Sequence, residues 1–208
     1  MKSYGQYCSM ARGLDVIGDR WTLLIVRELL SLDSARYSDL LAGLPGISTN
    51  LLASRLVELE ESGLIERKAP TPPVATALYV LTEHGRALEP VLVEIGKWAV
   101  PTIAATDWRE NTFRTHWLAL PARSFLHDSE PDAPPVRLVI DTGDEPLTLV
   151  IGEGRVTART GDDPAAEARL VGDPAEILRT LVGARPTGSP GAARLNGAAS
   201  VLTRAGIR

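Results

Sequence analysis

The sequence predicts an α+β chain in two parts, and three observations carry that prediction. Up to Trp98 the apolar residues recur at helical spacing, interrupted by one short hairpin pattern between Leu64 and Leu81. Beyond residue 105 the pattern changes to short strand-like runs separated by Gly- and Asp-containing turns, followed by helical segments. At 208 residues there is room for two small domains, and the division is placed at 1–105 and 106–208.

In the first part, Leu14, Ile17 and Trp21 mark an apolar face that leads into a long helix over residues 20–32. There Trp21, Leu24, Ile25, Leu29 and Leu32 recur every three or four residues, with Asp19 as the N-cap. Asp33-Ser34-Ala35 ends that helix, and Ser38 caps a short one carrying Leu40 and Leu41. A tight turn, Leu44-Pro45-Gly46-Ile47, leads to a helix capped by Ser48 and stopped at Gly63. Leu52, Leu56 and Leu59 fall in a narrow arc and face the core. Asn50, Ala53 and Ser54 face outward, with Thr49 and Arg55 on the flanks. The hairpin follows, with strands over 64–68 and 76–81 and a tip containing Pro70, Pro72 and Pro73. Thr82 caps a last helix with Leu88, Val91, Leu92, Ile95 and Trp98 on one side.

Two helices and a wing in that order form a DNA-reading device, so double-stranded DNA is the expected partner. Small and amide side chains near a helix N-terminus suit the major groove: Asn pairs with adenine, and Ala or a Thr methyl meets the thymine methyl. The net charge of −4 gives no general attraction for DNA. Residues 1–105 carry ten basic and twelve acidic side chains, and the remainder twelve and fourteen, so neither part is basic. Affinity must come from local cations, because phosphate contacts are short-ranged in salt. Arg36 before the first helix of the pair, Arg55, and Arg67 with Lys68 on the wing are the candidates. The expected DNA-contacting set is therefore Arg36, Ser48, Thr49, Asn50, Ala53, Ser54, Arg55, Arg67 and Lys68. A long amphipathic helix after a wing has little of its own domain left to cover. It is expected to pair with its mate in a homodimer, the alternative being packing on the second half of the same chain.

Several blocks of this part also carry a resemblance. Gly18-Asp19-Arg20-Trp21-Thr22, Arg36-Tyr37-Ser38-Asp39-Leu40, Leu44-Pro45-Gly46-Ile47-Ser48, Leu59-Glu60-Glu61-Ser62-Gly63-Leu64-Ile65 and Tyr79-Val80-Leu81-Thr82-Glu83-His84-Gly85 occur in order. Over about residues 5–100 the chain resembles the HxlR family of winged helix-turn-helix transcriptional regulators, relatives of the MarR group. The resemblance implies a homodimer on an inverted-repeat operator. Some members of that family sense oxidants or electrophiles through an N-terminal cysteine, and Cys8 sits about where it would be, a candidate redox sensor. A small buried core thiol is the reading preferred for Cys8, since the second half of the chain offers another sensor. Arg12, one helical turn on, is the one cation placed to stabilise a thiolate.

In the second part, residues 113–118, 136–140, 147–151 and 155–158 are strand-like runs. Asp173-Pro174-Ala175-Glu176 is a helix start, with Asp as cap, Pro at the first helical position and Glu two places on. Ile177, Leu178, Leu181 and Val182 form its buried face. A meander followed by helices is the expected arrangement. The strand–turn–strand over 147–158, then Ala168-Arg169-Leu170-Val171-Gly172-Asp173-Pro174 and the closing Leu195-Asn196-Gly197-Ala198-Ala199-Ser200-Val201-Leu202, resemble a sterol-carrier-protein-like domain over roughly 110–205. That resemblance implies an apolar cavity for a lipid-like or polycyclic small molecule. Such domains often carry Gly-Asp near the end where this chain has Gly197-Ala198, which puts the closing helix in question. Trp108, Phe113, Trp117 and Phe125 are the candidate ligand-binding residues, set against filling of the core.

Signs of other chemistry are missing. His84, His116 and His127 are scattered with no carboxylate or thiol at metal-ligand spacing, so no metal or cofactor is expected. No phosphate loop or nucleophile elbow can be proposed, which argues against an enzyme. No apolar run approaches the ~18 residues of a membrane span. The single cysteine and the absence of a signal-like N-terminus fit a cytoplasmic protein. The function expected is a ligand-responsive regulator, a homodimeric repressor. Its rival is a small-molecule sequestering protein that uses the first part mainly for dimerisation.

Overall fold

The computed structural model describes residues 3–70, 76–104, 107–182 and 193–207. Pro72 and Pro73 of the expected hairpin tip lie outside them. The chain forms two compact units, Met1–Ile95 and Gly96–Arg208. This division falls inside the helix Glu89–Ala104, whereas the sequence reading places its boundary after residue 105.

The first unit contains α1 (Ser9–Ile17), α2 (Thr22–Leu32), α3 (Tyr37–Gly43), α4 (Thr49–Glu61), the hairpin β1 (Ile65–Lys68) and β2 (Leu78–Leu81), α5 (Glu83–Arg86) and the start of α6 (Glu89–Ala104). Ile25, Leu29 and Leu30 of α2, Leu40 of α3, and Leu52, Leu56 and Leu59 of α4 make its core with Leu44, Leu64 and Ile65. Three helix ends differ from expectation. Asp19 does not cap α2 directly; its carboxylate accepts the Trp21 N–H at 2.9 Å in the turn before the helix. Ser38 lies inside α3, because Arg36 is extended and its N–H donates to the Asp39 carboxylate at 2.8 Å. The last helix is split. Thr82 caps only the four-residue α5, and Pro90, which has no N–H to give, sits at the start of a separate α6. Leu14 also departs from the expected apolar face and stays exposed.

The second unit is built on a five-stranded sheet ordered β5-β4-β3-β6-β7, with β3 (Val136–Asp141), β4 (Leu147–Gly152), β5 (Arg155–Thr160), β6 (Ala168–Val171) and β7 (Arg194–Gly197). β3, β4 and β5 are an antiparallel meander; β6 then crosses over to lie parallel to β3, and β7 pairs antiparallel with β6. Leu138, Ile140, Leu149 and Leu170 share one core with α7 (Ala119–Phe125), α8 (Pro174–Leu181) and α9 (Ala199–Arg204). On the opposite face, charged pairs hold the connection between β5 and β6: Asp163 pairs with Arg159 at 2.7 Å and Arg137 at 3.4 Å, and Asp162 pairs with Arg169.

The strand expected over 113–118 is not formed. Thr115–Leu118 is a 3₁₀ turn that runs into α7, because Thr115, Leu118, Ala119 and Ala122 are buried at helical spacing. The closing helix does form as α9, without a side-chain cap at Ala198. Asp173 is the N-cap of α8 by backbone geometry, while its carboxylate pairs with Arg109 at 2.8 Å.

Candidate nucleic-acid interface

The turn between α3 and α4 closes through the Ile47 N–H donating to Leu44 O at 3.1 Å, and Gly46 adopts φ +89°. Proline followed by a left-handed glycine suits a type II turn, and a side chain at Gly46 would be strained there. Leu44 and Ile47 are buried on either side, fixing the angle at which α4 leaves. Ser48 then caps α4, its hydroxyl accepting the Leu51 N–H at 3.2 Å. The Tyr37 hydroxyl donates to Thr49 O at 2.7 Å, tying the first turn of α3 to the first turn of α4. Gly63, at φ +69°, ends α4 with its N–H on Glu60 O, and the Leu64 N–H reaches Leu59 O.

With Leu52, Leu56 and Leu59 turned inward, Ser48, Thr49, Asn50, Ala53 and Ser54 are all exposed. Arg36, Arg67 and Lys68 are exposed as well. Arg67 pairs in register with Tyr79 and Lys68 with Leu78 across the wing. A third strand-like contact supports the wing, where Ala35 and Tyr79 exchange N–H···O bonds of 3.0 and 2.8 Å. Arg55 differs from the rest of the expected set. Its guanidinium lies 2.6 Å from Glu58 and 3.7 Å from Asp19 and is only partly exposed. The contacts of Tyr37 with Thr49, and of Asp19 and Glu58 with Arg55, are ones the sequence does not disclose. Tyr37 and Asp19 stand in the two blocks quoted above, whose order was visible but whose contacts were not.

A match to the HxlR-like helix-turn-helix family covers residues 16–107. YvaP of Bacillus subtilis, an uncharacterised HTH-type transcriptional regulator, is 41% identical over 103 residues, which is 49% of this chain and 88% of that one. The chain belongs to the HxlR-type helix-turn-helix regulators. The HTH-type regulator YodB of the same organism is 37% identical over 91 residues, 43% of this chain and 80% of that protein. The solved reduced form of YodB aligns with 49% of this chain and all 100% of its own length, at 34% identity and a TM-score of 0.41. These matches concern about half of the chain. As an HxlR-type regulator the chain is a DNA-binding protein and not an enzyme.

Cys8 is exposed at the N-cap of α1, which replaces the buried-thiol reading. Arg12 gives its backbone N–H to Cys8 O at 2.9 Å, while its guanidinium is held by Ser3 at 3.3 Å and Asp15 at 3.4 Å. In the second unit, Phe113 and Trp117 meet edge to face with centroids 6.1 Å apart. Phe113 packs on the core, Trp117 is half-buried and Phe125 is exposed. Trp108 is in a 3₁₀ turn, Trp108–Glu110, and its side chain lies outside the described residues. Among the described residues no cluster of His, Cys, Asp or Glu could hold a metal ion, and no helix is long and apolar enough to cross a membrane.

Proposed function

We propose that this regulator is a homodimeric repressor that reads an inverted-repeat operator and releases it on binding a small apolar molecule. The observation that carries the reading is the run of exposed small and amide side chains on the capped first turns of α4, directly after a rigid turn. Thr49, Asn50, Ala53 and Ser54 enter the major groove, where Asn50 meets adenine and Ala53 a thymine methyl. Arg36, Arg67 and Lys68 contact backbone phosphates beside it. Ser48 shapes the approach as cap and first-turn contact.

The dimer is supported by the outer face of α6, where Val91, Ile95 and Trp98 are exposed; Trp98 keeps 83% of its surface in the isolated chain. Apolar side chains at that spacing need a partner. A two-fold pairing would present two reading helices about 34 Å apart, one turn of DNA. For the second unit we keep the sterol-carrier-like reading, with Phe113 and Trp117 supplying flat apolar surface for a lipid-like or polycyclic ligand. Ligand binding that changes dimer spacing needs a coupling of only ~1–3 kcal/mol to alter occupancy 5–150-fold.

The experiment is fluorescence anisotropy of the purified chain on the duplex upstream of its own gene, across a salt series and against scrambled competitor. Tight, salt-sensitive binding that competitor does not abolish is expected. A duplex selected by the protein from a randomised library extends the test. Failure to enrich any sequence there sinks the reading.

A further inference from the structure

Asp19, Arg55 and Glu58 form a charged chain from the corner before α2 to the outward face of α4. Arg55 Nη1 lies 2.6 Å from Glu58 and 3.7 Å from Asp19. Arg55 Nε is enclosed and makes no hydrogen bond among the described residues, and the two carboxylates meet the head group at Nη1. Glu58 stands one helical turn beyond Ser54 and accepts from the Ser54 hydroxyl at 3.4 Å. The other end is anchored too, because Asp19 Oδ1 receives the Trp21 N–H at 2.9 Å. The Trp21 ring in turn lies against the α3–α4 turn, 4.0 Å from where a Cβ on Gly46 would stand.

We propose that Asp19 is a positioning residue for DNA reading, which through Arg55 and Glu58 fixes the setting of α4 and of Ser54 without touching DNA. The proposal rests on the reading of α4 as the recognition helix. Two arguments support it. Glu58 shares the Ser54 side of α4, where an unpaired carboxylate would repel phosphate; the Arg55 cation cancels that charge. Arg55 therefore has its charge engaged within the protein and is not a free counter-charge for the backbone. Moreover, Asp19 belongs to the corner that joins α1 to α2, so this ion chain links that corner to a base-reading side chain.

Asp19→Asn separates positioning from simple electrostatics. It keeps an oxygen to accept the Trp21 N–H and removes one negative charge. Removing a carboxylate beside DNA on its own tightens binding, whereas loss of positioning weakens it. Affinities of the full chain would be measured on a duplex selected by the wild type and on a scrambled duplex, each across a salt series. Asp19→Asn and Arg55→Gln should each weaken the selected duplex about fivefold or more. Affinity for scrambled DNA and the salt slope should hold, and the double variant should be no weaker than the weaker single. Tighter or unchanged binding by Asp19→Asn overturns the proposal. So does a salt slope reduced by about one in Arg55→Gln, the mark of a direct phosphate contact. Equal losses on both duplexes, with a lowered folded fraction by circular dichroism, reduce the chain to a structural role and also overturn it. Asn50→Ala is run beside these variants. If it binds the selected duplex like wild type, the reading of α4 itself fails, a result distinct from a silent Asp19→Asn beside a defective Asn50→Ala.

Discussion

Asn50 and Arg67 are both exposed, but they stand on different elements and should fail differently when truncated. On the proposed reading of α4, Asn50→Ala should cost ~1–3 kcal/mol at one base pair, the worth of a bidentate base contact, while leaving other positions unchanged. A panel of single-base operator variants, titrated by anisotropy, would show relaxed preference at that pair alone; an unaltered preference excludes the contact. Arg67→Ala should weaken every sequence alike and lower the salt slope by about one. The exposed residues of α4 were legible in the sequence because their inward neighbours Leu52, Leu56 and Leu59 fix the helix's rotation. The state of Arg55 was not. Its pairing with Glu58, three positions on, can be counted along the helix, but its second partner, Asp19, comes from outside α4, where periodicity does not bring it near.

Elements stand or fall on their ends and their close approaches. Ser48→Ala leaves a first-turn N–H of α4 without its hydroxyl and should destabilise the first unit by ~0.5–2 kcal/mol. Thermal melts followed by circular dichroism would read this, and an unchanged Tm would show that the cap contributes nothing. Gly85 in α5 is the harsher case. A Cβ there would come within 2.0 Å of the Leu64 carbonyl oxygen, a backbone atom, so Gly85→Ala must push α5 off the start of β1. A loss of ~1–3 kcal/mol is expected from such overpacking, read as a shift of the urea midpoint. At this scale the sequence is informative where caps and Gly–Asp turns punctuate it, as for α4 and for β3, β4 and β5. It misleads over 113–118, where Phe, Thr, Trp and Leu have the composition of a strand but are buried at intervals of three and four. The place of β6 beside β3 was not legible either. Alternation says which face a residue occupies, not which strand lies next to it.

For the molecule as a whole, assembly and acid stability are the properties open to test. Trp98→Glu places a charge on the exposed apolar face of α6 and should turn a dimer into monomers in analytical ultracentrifugation, with loss of operator binding. A dimer that survives it has its interface elsewhere. The second unit carries its own pH dependence. Hydrogen bonds from Arg204 hold the Asp128 carboxyl down to about 2 from its ordinary 3.8, helped by the backbone N–H groups of Glu130 and Gly154. The folded-state value lies below the unfolded one, so this stabilisation is complete above about pH 4 and drains away as pH falls toward about 2. Asp128→Asn should lower the melting temperature of the second unit at neutral pH and flatten its acid dependence in that window. An acid profile identical to wild type would rule the pair out as the cause.

The same arginine has a consequence for how the chain is made. Arg204 bonds to the carboxylate of Asp128, 76 positions earlier, and to the carbonyls of Glu130, Ala133 and Pro134, so the path of that loop is set by a side chain in the last helix. The residues of α4 and its turn meet partners already present by the time β2 has been synthesised. On the ribosome the DNA-reading unit can therefore close while translation is still under way. The second unit must wait for nearly its whole length to emerge before Asp128 acquires its counter-ion.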